Sequence, residues 1–101
     1  DELYSIEMVL RVHDRQLAEI LSNFDDHSIA LILKGKREEI RAKIMHNVSE
    51  RRATMVSEEY RELGPQRRED VDQVTHEFVE HLRSRVEDGS LLVDDSDDRY
   101  I

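Results

Sequence analysis

The chain has 101 residues, 39% of them charged and 5% aromatic, a formal net charge of −9 and no cysteine. That length fits one domain with a modest core. The absent cysteine excludes a disulfide or zinc–thiolate framework, and the acidic balance disfavours a general binder of nucleic acid or anionic lipid, since both demand cationic surface. With no apolar run near the roughly 20 residues of a membrane span and no visible signal peptide, a reducing, cytoplasmic setting is expected. The first residue is Asp1 rather than Met, so the sequence reads as a piece of a longer chain.

Helical spacing dominates and strand alternation is nearly absent, which predicts an all-α domain of about six helices. Ser5 caps a short first helix with Ile6, Val9 and Leu10 inward. His13 or Asp14 opens a second, burying Leu17, Ile20 and Leu21. Asp25 or Asp26 opens a third, "DDHSIALILKG", with Ile29, Leu31, Ile32 and Leu33 apolar and Gly35 as its stop. A fourth, from about 37 to 46, buries Ile40 and Ile44, and Asn47 ends it by tolerating a left-handed turn.

Ser49 is the N-cap of the fifth helix. At about 100° per residue, Ala53, Val56, Tyr60 and Leu63 share one arc and Arg51, Thr54, Glu58 and Arg61 lie opposite, with Arg52 and Glu59 at the border. Gly64-Pro65 closes it, because proline disfavours helical geometry in the residue before it. The sixth and longest helix runs from about 69 to 88 on a stripe of Val71, Val74, Phe78, Leu82 and Val86, and Gly89 terminates it. "SLLV" is expected to pack back on the domain, which spans 1–93, and residues 94–101 to form an acidic, flexible tail. Short helices joined by short links favour compact packing. The weak likeness of "DRQLA" at 14–18 to "DHSIA" at 26–30 suggests an armadillo-like, superhelical stack with a long C-terminal helix.

Little in the sequence resembles a catalytic site. Asp72, His76 and Glu80 stand at i, i+4 and i+8 on one helix face, as metal ligands can, but the pattern reads as a solvated face and no metal or cofactor is expected. The adjacent pair Glu58-Glu59 diverges by about 100° on a helix and cannot converge on one bond. No Ser or Cys nucleophile sits in a triad pattern, and three glycines provide no phosphate loop. The basic island "KGKREEIRAK" at 34–43 reads first as solvated surface, with Lys34 near the negative end of the third helix, and second as a docking patch for an acidic partner.

Several motifs, taken in order, resemble the C-terminal domain of the flagellar motor switch protein FliG. They are "ALILKG" at 30–35, "KIMHNVSERRA" at 43–53, "EEYRELGPQR" at 58–67, and "EDVDQV" followed by the long helix that ends in "EDGSLLV". The resemblance covers almost the whole chain. It implies a rotor (C-ring switch-complex) component of the bacterial flagellum, at the cytoplasmic face of the inner membrane and peripheral to it through the basal body. It implies that the penultimate charged helix meets the cytoplasmic loop of the stator protein MotA to receive torque and set rotation direction. Carried over by position, the stator-facing charges are Lys34, Arg51, Glu58, Glu59 and Arg67. Further implied partners are FliM and neighbouring FliG copies; nucleic acid is not among them, and no enzymatic activity is implied.

The chain departs from that pattern in places. Its acidic pair is glutamate rather than the common aspartate, Arg52 stands where alanine is usual, and Gln66 replaces a common valine. The family's Met-Phe-x-Phe hinge falls on Leu3-Tyr4-Ser5-Ile6 and is poorly kept. A FliG-like adaptor paralogue without the main torque role is therefore the alternative. A cytosolic domain of an MgtE-type magnesium transporter is a more distant one, since it would carry carboxylate clusters for cations.

Overall fold

The computed structural model describes residues 5–93. Leu3 and Tyr4 of the hinge stretch, and the tail at 94–101, lie outside the described residues. The chain folds as a 3₁₀ helix, Ile6–Arg11, followed by α1 (Asp14–Leu21), α2 (Asp26–Leu33), α3 (Glu38–His46), α4 (Glu50–Leu63) and α5 (Arg68–Glu87).

The expected first helix is a 3₁₀ helix. Its bonds run i to i+3, from the Met8 N–H to the Ser5 carbonyl at 3.0 Å and from the Val12 N–H to the Val9 carbonyl at 3.3 Å. At three residues per turn, positions three apart eclipse, so Ile6, Val9 and Val12 line one edge. Val9 and Val12 are buried with Met8 beside them, and Leu10, expected inside, is left 37% exposed.

The α-helices start and stop where local chemistry provides for it. The Asp25 carboxylate accepts the Ser28 N–H at 2.7 Å and caps α2; that backbone bond is the main reason its carboxyl is held below the usual range. The Ser49 hydroxyl accepts the Arg52 N–H at 3.2 Å and caps α4. Gly64 follows α4 at φ +60° and ψ −160°, a conformation that side-chain-bearing residues rarely adopt. Asn47 does not make the expected left-handed turn. It keeps φ at −107°, and its side-chain amide donates to the Lys43 carbonyl at 2.8 Å and the Asp14 carboxylate at 3.0 Å. One residue thereby closes α3 and ties it to the start of α1.

α2 is apolar nearly all round, as a central helix must be: Ile29, Ala30, Ile32 and Leu33 are buried. It packs chiefly against α4 and also against α5, while α3 packs on the 3₁₀ helix. Across the core from α2, α5 contributes Val71, Val74, Phe78, Val79 and Leu82, and Phe78 meets Phe24 edge to face with ring centroids 5.3 Å apart. After α5 the chain does pack back. Leu91 is 1% exposed, and Val93 makes an isolated antiparallel bridge to Val12 that joins the two ends of the domain. Among the described residues no helix is long and apolar enough to cross a membrane.

Candidate functional site

α4 is held from one side and bare on the other. Val56 is fully buried, while Ala53, Tyr60 and Leu63 are half-buried around it. Arg51, Thr54, Met55, Glu58, Arg61 and Glu62 are exposed. At about 100° per residue, Arg51, Met55, Glu58 and Glu62 fall within roughly 60° of one another. The outward strip therefore runs from a cation through an apolar side chain to two carboxylates. Among the described residues neither Arg51 nor Glu58 has an ion-pair partner; the charges of α4 that are paired sit on a different flank.

That flank carries Arg52 and Glu59. The Arg52 guanidinium donates through Nε to Asp26 Oδ1 at 2.8 Å and through Nη1 to the Leu21 carbonyl at 2.9 Å. It thus gives a second donor to a carbonyl at the end of α1 that also accepts the Phe24 N–H at 3.1 Å, and it engages a carboxylate in the first turn of α2. Both members of the ion pair are 24% exposed. Glu59 Oε2 lies 3.3 Å from His27 Nδ1, in the first turn of α2. Arg52 thereby bolts α4 to the junction of α1 and α2, and Glu59 adds an exposed contact beside it.

The remaining site residues lie at the ends of other elements. Lys34 caps the C-terminus of α2, favourably placed against that helix's negative end, and its ammonium stands 5.6 Å from the Tyr60 ring centroid. Arg67 is exposed at the N-cap of α5 and pairs with Glu69. Gln66 turns back, its amide donating to the Leu63 carbonyl at 2.8 Å. The five sequence-predicted charges thus do not form one cluster. Arg51 and Glu58 share the outward strip, Glu59 is turned aside to His27, Lys34 sits under Tyr60, and Arg67 lies beyond the α4–α5 turn.

Asp72 and His76 remain on the exposed face of α5, and Glu80 is engaged by Arg83 in two bonds of 2.8 and 2.9 Å. These bonds hold its carboxyl below the usual range. Among the described residues no three His, Asp or Glu side chains converge as a metal site. Two features of the α4 surface escaped the sequence reading. Met55, 47% exposed, was legible from the helical angle it shares with Arg51. The His27 contact spans 32 residues and leaves no local signal.

The model of the FliG C-terminal domain family matches residues 1–93. The chain belongs to that family. Among curated relatives, the flagellar motor switch protein FliG of Thermotoga maritima is 30% identical over 90% of this chain and 27% of its own length. The FliG of Borreliella burgdorferi is 29% identical over 91% of this chain and 27% of its own. The solved structure of full-length FliG from Aquifex aeolicus superposes with a TM-score of 0.78 at 27% identity, covering 85% of this chain and 27% of that one. The chain therefore spans under a third of the FliG proteins it matches. The family that matches is the one the sequence motifs resemble, not the magnesium-transporter one.

Proposed function

We propose that this domain belongs to a rotor component of the bacterial flagellar motor switch and that the outward strip of α4 meets the stator. There it receives torque and, by its orientation, sets rotation direction. The observation that supports the reading is the pairing state of α4: among the described residues Arg51 and Glu58 are exposed without an ion-pair partner, on a helix whose other flank is bolted down by Arg52. A rotor surface must engage, be pushed and let go. Deeply buried apolar contacts release slowly, whereas exposed ion pairs contribute about 0.2–1 kcal/mol each and act over roughly 8 Å at physiological salt. Opposite signs along one rigid helix add register, since a misaligned stator loop meets like charge.

In this reading the partner is the cytoplasmic loop of MotA, with Lys34, Arg51, Glu58, Glu59 and Arg67 as the contact charges. FliM and neighbouring FliG copies are the assembly partners, in the C-ring at the cytoplasmic face of the inner membrane. The domain acts mechanically, without catalysis or cofactor. Ion flow through the stator supplies the energy.

A second reading, an adaptor paralogue, draws on the Glu59–His27 and Arg67–Glu69 pairs, which commit two of the five charges internally. One experiment separates the two: tethered-cell rotation of a strain whose full-length protein lacks charge at all five positions. Lost torque with an assembled rotor supports the first reading; normal torque supports the second.

A further inference from the structure

A cleft of about 260 Å³ opens between α3 and α4, lined by Leu33, Arg41, Met45, Ser57, Tyr60 and Arg61. Its floor is apolar: the buried Leu33, the half-buried Met45 and the Tyr60 ring. Its rim is cationic, with Arg41 on the α3 side and the exposed Arg61 on the α4 side. Arg61 lies roughly 60–80° around α4 from Glu58 and Arg51, on the side away from Arg52 and Glu59.

What sets this rim apart is its place, two cations on either side of an apolar floor. Acidic residues outnumber lysine and arginine 24 to 15, yet only five of the eleven arginines among the described residues take a carboxylate. Arg37 pairs with Glu7, Arg52 with Asp26, Arg67 with Glu69, Arg83 with Glu80 and Arg85 with Glu19. Among the described residues Arg41 and Arg61 pair with none; Arg41 reaches only the Tyr60 hydroxyl, at 3.5 Å. Two uncompensated guanidinium groups beside an apolar floor are complementary to a large apolar side chain flanked by carboxylates, which arginine grips bidentately. The volume is below the roughly 300–1,000 Å³ of small-molecule sites and suits one protruding side chain. Met45 adds the adaptable, polarizable surface found where varied side chains are received. Two cations do not make the extended basic track that nucleic acid or an anionic membrane requires.

We infer that the α3–α4 cleft docks a partner protein's acidic segment, inserting one large apolar side chain between Arg41 and Arg61. This contact is separate from the outward strip and holds whatever meets Arg51 and Glu58.

The test titrates the isotope-labelled 101-residue chain with the capped peptide EELFEE, and with KKLFKK and EEAAEE as controls, following amide and methyl shifts. Saturable shifts centred on Leu33, Met45 and Tyr60 are expected for EELFEE, with at least about tenfold weaker binding for each control. Arg61→Glu is expected to weaken EELFEE at least about tenfold and to strengthen KKLFKK. Arg61 is exposed, so the variant keeps its fold, and unchanged shifts elsewhere verify this. Equal affinity for the acidic and basic peptides, shifts centred on another face, or no saturable binding would overturn the inference. So would cleft resonances that move when residues 94–101 are deleted, because the chain's own acidic tail would then be the occupant. A concentration-dependent dimer abolished by Arg61→Glu would likewise make the occupant a second copy.

Discussion

Arg51 and Arg52 are neighbours on α4 with the same charge, and they have opposite roles. Arg51 points to solvent with no partner among the described residues, while Arg52 is three-quarters buried and holds the junction of α1 and α2. Glu58 and Glu59 repeat the division one step on: the first without an ion-pair partner among the described residues, the second against His27. A turn of about 100° per residue separates the members of each pair, and the difference shows how an exposed charged strip can coexist with a rigid mount. The mount takes Arg52 inward and holds Glu59 at the surface against His27, and among the described residues the strip charges Arg51 and Glu58 have no ion-pair partner. Arg52 belongs to the mount.

The comparison breaks most visibly at Arg52. Arg52→Ala removes the guanidinium that pairs with the Asp26 carboxylate and takes one of two donors from the Leu21 carbonyl. Charge-assisted bonds contribute about 1.5–3 kcal/mol, so a loss of about 2 kcal/mol is expected, lowering Tm on the order of 10 °C for a domain of this size. Thermal unfolding of the purified domain measures it. A double-mutant cycle with Asp26→Ala sharpens the assignment, since the two losses are expected to be strongly non-additive.

Next in size is the cap that starts α2 beside this clamp. Asp25→Ala is expected to cost about 1 kcal/mol. The carboxyls of Asp25 and Asp14 are both lowered from 3.8, the first chiefly by the Ser28 N–H and the second chiefly by the Asn47 amide. A depressed folded-state value means that the stabilisation is complete above 3.8 and is lost as pH falls below it toward the lowered folded value. Acid titrations followed by circular dichroism should show that dependence weakened in Asp25→Ala.

On the outward strip the expected stability changes are smaller and the functional ones larger. Arg51→Ala should shift stability by no more than about 0.5 kcal/mol, yet reduce rotation of tethered cells in part. Arg51→Glu should be worse, because it replaces attraction with repulsion. Swapping the two charges, Arg51→Glu with Glu58→Arg, keeps the net charge and loses the pattern, so it should remain defective. Full rotation in the swapped strain would mean that pattern does not matter.

The smallest effect is expected at His27. His27→Ala removes an exposed contact of about 0.2–1 kcal/mol at most and releases Glu59 toward the strip. Torque no lower than wild type, with Tm nearly unchanged, is the expected result. A large loss of stability would move Glu59 firmly into the mount.

What the sequence determined alone is local. Helix starts were legible at Ser5, Asp25 and Ser49 because a cap acts on an N–H two or three residues away. The buried stripe of α5 and the core positions of α1 were legible because helical periodicity repeats within a few residues. The exposure of Arg51 and Glu58 followed from the same periodicity. What the tertiary structure decided is which of two equivalent-looking charges is used inside. Arg52 finds its partners 26 and 31 residues back, and Glu59 finds His27 at a separation of 32; no local pattern encodes such pairings. The choice of 3₁₀ over α geometry at 6–11 was likewise made by packing, since lining up Ile6, Val9 and Val12 outweighed the burial of Leu10. Asn47, too, gave up a turn it could have made for a bond to Asp14 across the fold. Charge is a property of a residue, but whether that charge is available to a partner depends on what folding places beside it.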